Sequence, residues 1–171
     1  MKTLLSRILI IATVAVALAQ PVRSFAADEV RATVNFGDSE KFTDVKDSSS
    51  GTDKGRDYYL KEIRKLIEEE ANRLLPAGQK LTLTFTDIDL AGDYLPSMRT
   101  GHDIRVMKDI YPPRMKFSFQ ITDAAGAVVK EGAEAISDTN YLNNIGIVGR
   151  SDELYYDKTL LRDWLRRALK S

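Results

Sequence analysis

Met115-Lys116-Phe117-Ser118-Phe119-Gln120-Ile121-Thr122 alternates without a fault, with Met, Phe, Phe and Ile on one side and Lys, Ser, Gln and Thr on the other. A period of two with one apolar and one polar side is the pattern of a half-buried β-strand. Asp123-Ala124-Ala125-Gly126 follows as a hairpin turn, and residues 128–136 return as the antiparallel partner. Upstream, Leu81, Leu83 and Phe85 alternate with Thr82, Thr84 and Thr86, which predicts a second strand over 80–90. Strands with one apolar and one polar face build an antiparallel sheet that helices cover on one side and water meets on the other.

The covering helices are legible. Leu60, Ile63, Leu66, Ile67 and Leu74 form one stripe at helical spacing, which predicts a helix over 56–75 that Pro76 and Gly78 stop. Leu161, Trp164, Leu165 and Ala168 form the stripe of a last helix. Ser151 is placed to cap it, and Asp152 and Glu153 fall in its first turn. Residues 31–36 alternate as a first strand. Residues 37–55 are a polar loop from which Phe42 and Val45 reach the core, 91–101 read as a loop, and 104–110 as a short strand closed by Pro112-Pro113. The expected fold is α+β: a two-layer sandwich, an antiparallel sheet of four or five strands with two helices on one face.

One strand contains a conflict. After Phe85 the apolar phase flips to Ile88 and Leu90, so a straight strand would turn Asp87 and Asp89 toward the core. Burying two unpartnered carboxylates is very costly. A bulge turns the strand over, or cations meet the acids, or the strand has left the core.

The N-terminus reads as a secretory leader. Lys2 and Arg7 precede an apolar run over 8–19, and Ser24-Phe25-Ala26 presents small residues where a signal peptidase cuts. The expectation is a signal peptide over 1–26 and a single α+β domain over 27–171, with Ala17-Leu18-Ala19 a second acceptable cleavage site. The run falls short of the roughly 20 residues a spanning helix needs, so no stable membrane anchor is expected after cleavage. Loss of Lys2, Arg7 and Arg23 leaves 22 basic against 25 acidic residues, a net charge of −3. That balance argues against nucleic acid as a partner. The chain has no cysteine, which excludes disulfides, thiol chemistry and a lipid-linked cysteine. A periplasmic destination follows.

Residues with chemical potential gather in the middle of the chain: Asp87, Asp89, Asp93, His102, Asp103, Arg105, Asp109 and Arg114. A hard cation such as calcium wants several oxygens, but the spacing matches no calcium loop. Ion pairing of Asp87 or Asp89 with Arg105 or Arg114 at the sheet edge is the simpler reading. His102 is the only histidine, and no nucleophile motif accompanies it. No phosphate loop, dinucleotide loop or paired-histidine metal motif occurs. No catalytic residue, metal ligand or cofactor is therefore assigned. The expectation is a non-catalytic binding or accessory module for a protein or envelope component. The alternative is an enzyme or cation-binding protein built on the Asp/Arg cluster.

Several runs read together: Lys41-Phe42-Thr43-Asp44-Val45, Gly55-Arg56-Asp57-Tyr58-Tyr59-Leu60, Leu75-Pro76-Ala77-Gly78-Gln79, Thr86-Asp87-Ile88-Asp89-Leu90-Ala91-Gly92-Asp93 and Lys108-Asp109-Ile110-Tyr111-Pro112-Pro113-Arg114. With Lys130-Glu131-Gly132 and Leu160-Leu161-Arg162-Asp163-Trp164-Leu165, the chain resembles the family called domain of unknown function 3016. The resemblance spans nearly all of the sequence after the leader, in order. It implies an exported protein of Gram-negative bacteria, and it carries over no activity and no catalytic or ligand residue.

Overall fold

A computed structural model describes residues 31–45, 53–96, 103–143 and 152–170. The proposed leader, His102 and the proposed cap Ser151 lie outside the described residues. In chain order the elements are β1 (Ala32–Phe36), α1 (Asp53–Leu74), β2 (Lys80–Asp89), β3 (Asp93–Pro96), β4 (Asp103–Val106), β5 (Arg114–Thr122), β6 (Val128–Ser137) and α2 (Tyr155–Leu169).

The two-layer α+β sandwich is what the chain adopts. Four strands form one sheet in the order β1-β2-β5-β6. It is antiparallel across β2, β5 and β6. It is parallel at β1, where Ala32 lies opposite Leu81 and Phe36 opposite Phe85. The departure from a wholly antiparallel sheet has a simple cause: α1 carries the chain back to the starting end before β2 begins, and such a crossover delivers a parallel neighbour. Arg31 ties this corner by donating to the carbonyls of Leu75 (2.7 Å) and Pro76 just after α1.

One face of the sheet is the core. Val34, Leu81, Leu83, Phe85, Met115, Phe117, Phe119 and Ile121 meet Ile63, Leu66 and Ile67 of α1 and Leu161, Trp164 and Leu165 of α2. Trp164 stands edge-on to Phe117 and Phe119, with ring centroids 4.6 and 5.3 Å away. Phe42 and Val45 are buried in the same core, as expected from the loop. The other face carries Thr33, Asn35, Thr82, Thr84, Ser118, Gln120 and Glu131, and among the described residues no element covers it.

Two local expectations need correction. Residues 91–101 contain a strand, β3, which pairs with β4 as a separate two-stranded arm. Asp93 and Pro96 are poor strand formers, so the local composition hides a strand that its partner imposes. α2 begins at Tyr155, and the Asp152 carboxylate accepts the Leu154 N–H (3.0 Å) in the turn before it. The acid inside its first turn is Asp157.

Candidate functional site

The conflict in β2 is resolved by a bulge. The pairing with β5 shifts between Phe85 and Asp87, leaving Thr86 as the extra residue. Ile88 is thereby returned to the core, and Asp87 and Asp89 turn away from it, opposite Lys116 and Arg114. Both acids then find cations. Lys116 Nζ lies 3.3 Å from Asp87 Oδ2, and Arg114 Nη1 lies 3.4 Å from Asp89 Oδ2.

Asp87 also fastens the loop before α1. Its Oδ1 accepts from both the backbone N–H and the hydroxyl of Thr43, each at 2.9 Å. Burial raises its pKa, but the Thr43 and Lys116 hydrogen bonds outweigh that and hold it below the ordinary aspartate value. Asp89 moves the other way. Burial, reinforced by the neighbouring Asp44 and Asp87 charges, pushes it up against the pull of Arg114. Asp44 reaches this group because its backbone bridges to Asp89: its N–H donates to Ile88 O and its carbonyl accepts from Leu90 N.

Arg105 from β4 turns inward rather than toward Asp87 or Asp89. Its Nη2 bonds Asp44 Oδ2 at 2.9 Å and its Nη1 bonds the Ala91 carbonyl at 2.8 Å. The guanidinium also sits over the Tyr94 ring, 4.5 Å from the centroid. On the other side of the same residue, Asp157 Oδ1 accepts the Ala91 N–H at 2.9 Å. Ala91 is thus clamped through both its backbone groups, by a cation from β4 and a carboxyl from α2. Asp157 is 1% exposed, and among the described residues its Oδ2 has no hydrogen-bond partner. Burial pushes its pKa up to about 7, against the Ala91 N–H and the Arg105 charge, which favour the ionised form.

The remaining candidates disperse. The Asp93 carboxylate accepts the N–H of Tyr94 next to it (2.8 Å). Asp109 is exposed in the turn closed by the Tyr111 N–H on Lys108 O. Of the pairings the sequence suggested, Asp89 with Arg114 forms. Asp87 takes Lys116 instead, and Arg105 takes Asp44. Asp44, Asp87 and Asp89 therefore form separate ion pairs with Arg105, Lys116 and Arg114. Among the described residues, no group of three or more His, Cys, Asp or Glu could hold a metal ion.

Sequence reasoning missed Asp44, Lys116 and Asp157. The signal for Asp157 was present, since it stands four residues before Leu161 and so shares the buried stripe of α2. Asp44 had none, because it meets Arg105 across 61 residues.

A second polar group joins the two helices. Lys158 Nζ lies 2.9 Å from both Glu62 of α1 and Asp152, and the Tyr59 hydroxyl donates to Glu153 Oε2 at 3.1 Å. The Tyr94 hydroxyl lies 3.4 Å from that of Tyr59, so the β3–β4 arm is fastened to α1 as well as to α2.

A family model described as a protein of unknown function (DUF3016) matches residues 30–167. Among curated proteins none matches the chain. The chain is similar to a minor lipoprotein from Acinetobacter baumannii, known from a 2.35 Å crystal structure, at 10% identity. The similarity covers 82% of this chain and 89% of that one, with a TM-score of 0.23.

Proposed function

Because the chain belongs to the family of proteins of unknown function DUF3016, we propose a role that rests on its own geometry: an exported, non-catalytic accessory module of the cell envelope that binds its partner on the uncovered face of the sheet. The observation that carries this reading is the composition of that face. Thr82, Thr84, Ser118, Gln120 and Glu131 line a shallow trough floored by the Phe119–Gly132 pair. The hydroxyls of Thr82, Thr84 and Ser118 stand there beside Gln120, which donates to Glu131 at 3.1 Å, and their remaining donors and acceptors form a regular array, as a polar protein surface or an envelope polymer would require. Asp44, Asp87, Asp89 and Asp157, by contrast, are occupied in holding the fold, because each faces a cation or a backbone donor.

The test uses the full-length chain produced in a Gram-negative host. Mass analysis of the periplasmic fraction should find the chain beginning at Ala27. Recovery of the intact chain from the cytosol, Met1 still attached, would overturn the export part. Affinity capture from envelope extract should retain a specific component, and Thr84→Arg should abolish that capture. Lys65→Glu, on the exposed side of α1, should leave it intact. Equal capture by parent and Thr84→Arg would rule the face out.

A further inference from the structure

We propose that the protein pairs with a second copy of itself through the outer edge of β6, the two strands running antiparallel about a two-fold axis at Gly132. Among the described residues β6 is hydrogen-bonded on one side only, to β5, and it ends the sheet. It is ten residues long, against five for β1 at the other edge. Almost all of it is exposed, including Val128 (51%) and Val129 (55%). A long edge strand of this kind offers its main-chain groups to another strand.

The charges of β6 choose the occupant and the register. In an antiparallel pair only residues of like parity can stand opposite one another, so a symmetric pair of β6 strands has its axis at a residue. With the axis at Gly132, Lys130 of each copy faces Glu134 of the other, twice. Glu131 faces Ala133, and Val129 faces Ala135. Lys130 and Glu134 stand on the same side of the sheet, since they pair with the core residues Ile121 and Phe117 of β5. Neighbouring registers are worse. An axis at 130 puts Lys130 on itself, at 131 Glu131 on itself, and at 134 Glu134 on itself. An axis at 133 makes no charged pair. Like charges directly opposite are destabilising and unlike ones stabilising, so the strand is complementary to itself in one register.

Two features that usually guard an edge fit this arrangement. Pairing with β5 shifts between Ile121 and Thr122, so Val129 is a bulged residue and limits the new ladder to about 129–135. Lys130 Nζ already reaches the Ala168 carbonyl at the end of α2 (3.2 Å). An ammonium has three donors, so it can serve that carbonyl and a carboxylate together.

The test is sedimentation equilibrium of the full chain over a range of concentrations, with charge variants. The parent should form a dimer. Lys130→Glu and Glu134→Lys should each weaken it by about tenfold or more. An equimolar mixture of the two variants should restore it. One variant then carries acids at both positions and the other carries lysines at both, so every facing pair is again of unlike charge. Circular dichroism of each variant checks that it folds. A parent that stays monomeric up to about 0.5 mM would overturn the proposal. So would a dimer indifferent to both substitutions, or a mixture no tighter than its components.

Discussion

Gly92 marks where the chain leaves the core for the β3–β4 arm, and it has no substitute there. Its φ is +82°, a left-handed conformation, and an added Cβ would stand 2.8 Å from Met107 Sδ and 2.9 Å from the Val106 carbonyl. Gly126 in the β5–β6 turn has nearly the same φ, +84°, but among the described residues nothing lies within 4 Å of a Cβ. The pair separates conformational strain from steric clash. Gly126→Ala should cost about 1 kcal/mol and Gly92→Ala about 2–4 kcal/mol, read from urea midpoints. Equal losses would mean that the arm yields without resistance. At the same scale, Asp87→Asn removes the ion pair with Lys116 and weakens the bonds from Thr43. It should lower stability by about 1 kcal/mol. Since Asp44, Asp87 and Asp89 are paired with cations, calcium, zinc and chelator should leave the melting temperature where it was. A rise with either metal would revive the cation-binding alternative.

Among the elements, α2 meets the sheet through one large aromatic side chain, Trp164. Trp164 is the largest residue of its stripe and wedges between Phe117 and Phe119, while Phe119 in turn lies over Gly132 of β6. Trp164→Ala should cost about 3–5 kcal/mol in urea unfolding, whereas Arg166→Ala, on the same helix but half-exposed, should stay within about 0.5 kcal/mol. The elements that could be read in advance are those whose partner is water on one side and core on the other. β5 and α1 are legible because burial alone writes their periods. β2 was legible up to its conflict: the flip from Phe85 to Ile88 left a bulge, bound cations or an early exit from the core as alternatives, and the bulge is what the pairing with β5 contains. β3 was not, because its four residues take their conformation from β4. The parallel placement of β1 was not either, because it depends on the path of α1 rather than on Ala32–Phe36. The candidate site was legible in its residue types and less so in its pairs. Arg114 was open to Asp87 or Asp89 and takes Asp89, but Asp44 lies in a distant loop whose spacing to Arg105 carries no period.

The whole molecule should become less stable as pH rises from weakly acidic to neutral, and the cause lies in Asp157. Its folded pKa is about 7, against an ordinary value of 3.8, because burial disfavours the charge. Between those values the folded chain holds a proton that the unfolded chain has released, so raising the pH favours unfolding. The loss begins above the unfolded pKa, is complete once pH exceeds about 7, and amounts to about 4 kcal/mol. Asp89, also raised, slopes the same way. Asp87 slopes oppositely. Its lowered pKa adds stability that is full above the ordinary aspartate value and disappears only in stronger acid, outside this window. The two effects place the stability maximum on the acidic side of neutral. Urea midpoints should therefore fall between pH 5 and pH 8. In Asp157→Asn, whose side-chain carbonyl can still accept the Ala91 N–H, the fall should largely vanish. An unchanged slope in the variant would assign the effect elsewhere. A flat profile in the parent would show that Asp157 is ionised in the fold, with Arg105 carrying the compensation. Because the carboxyl that titrates is also the one that holds Ala91, the Asp157 effect should appear first as loosened amide protection at Ala91 and Gly92, before the sheet itself opens.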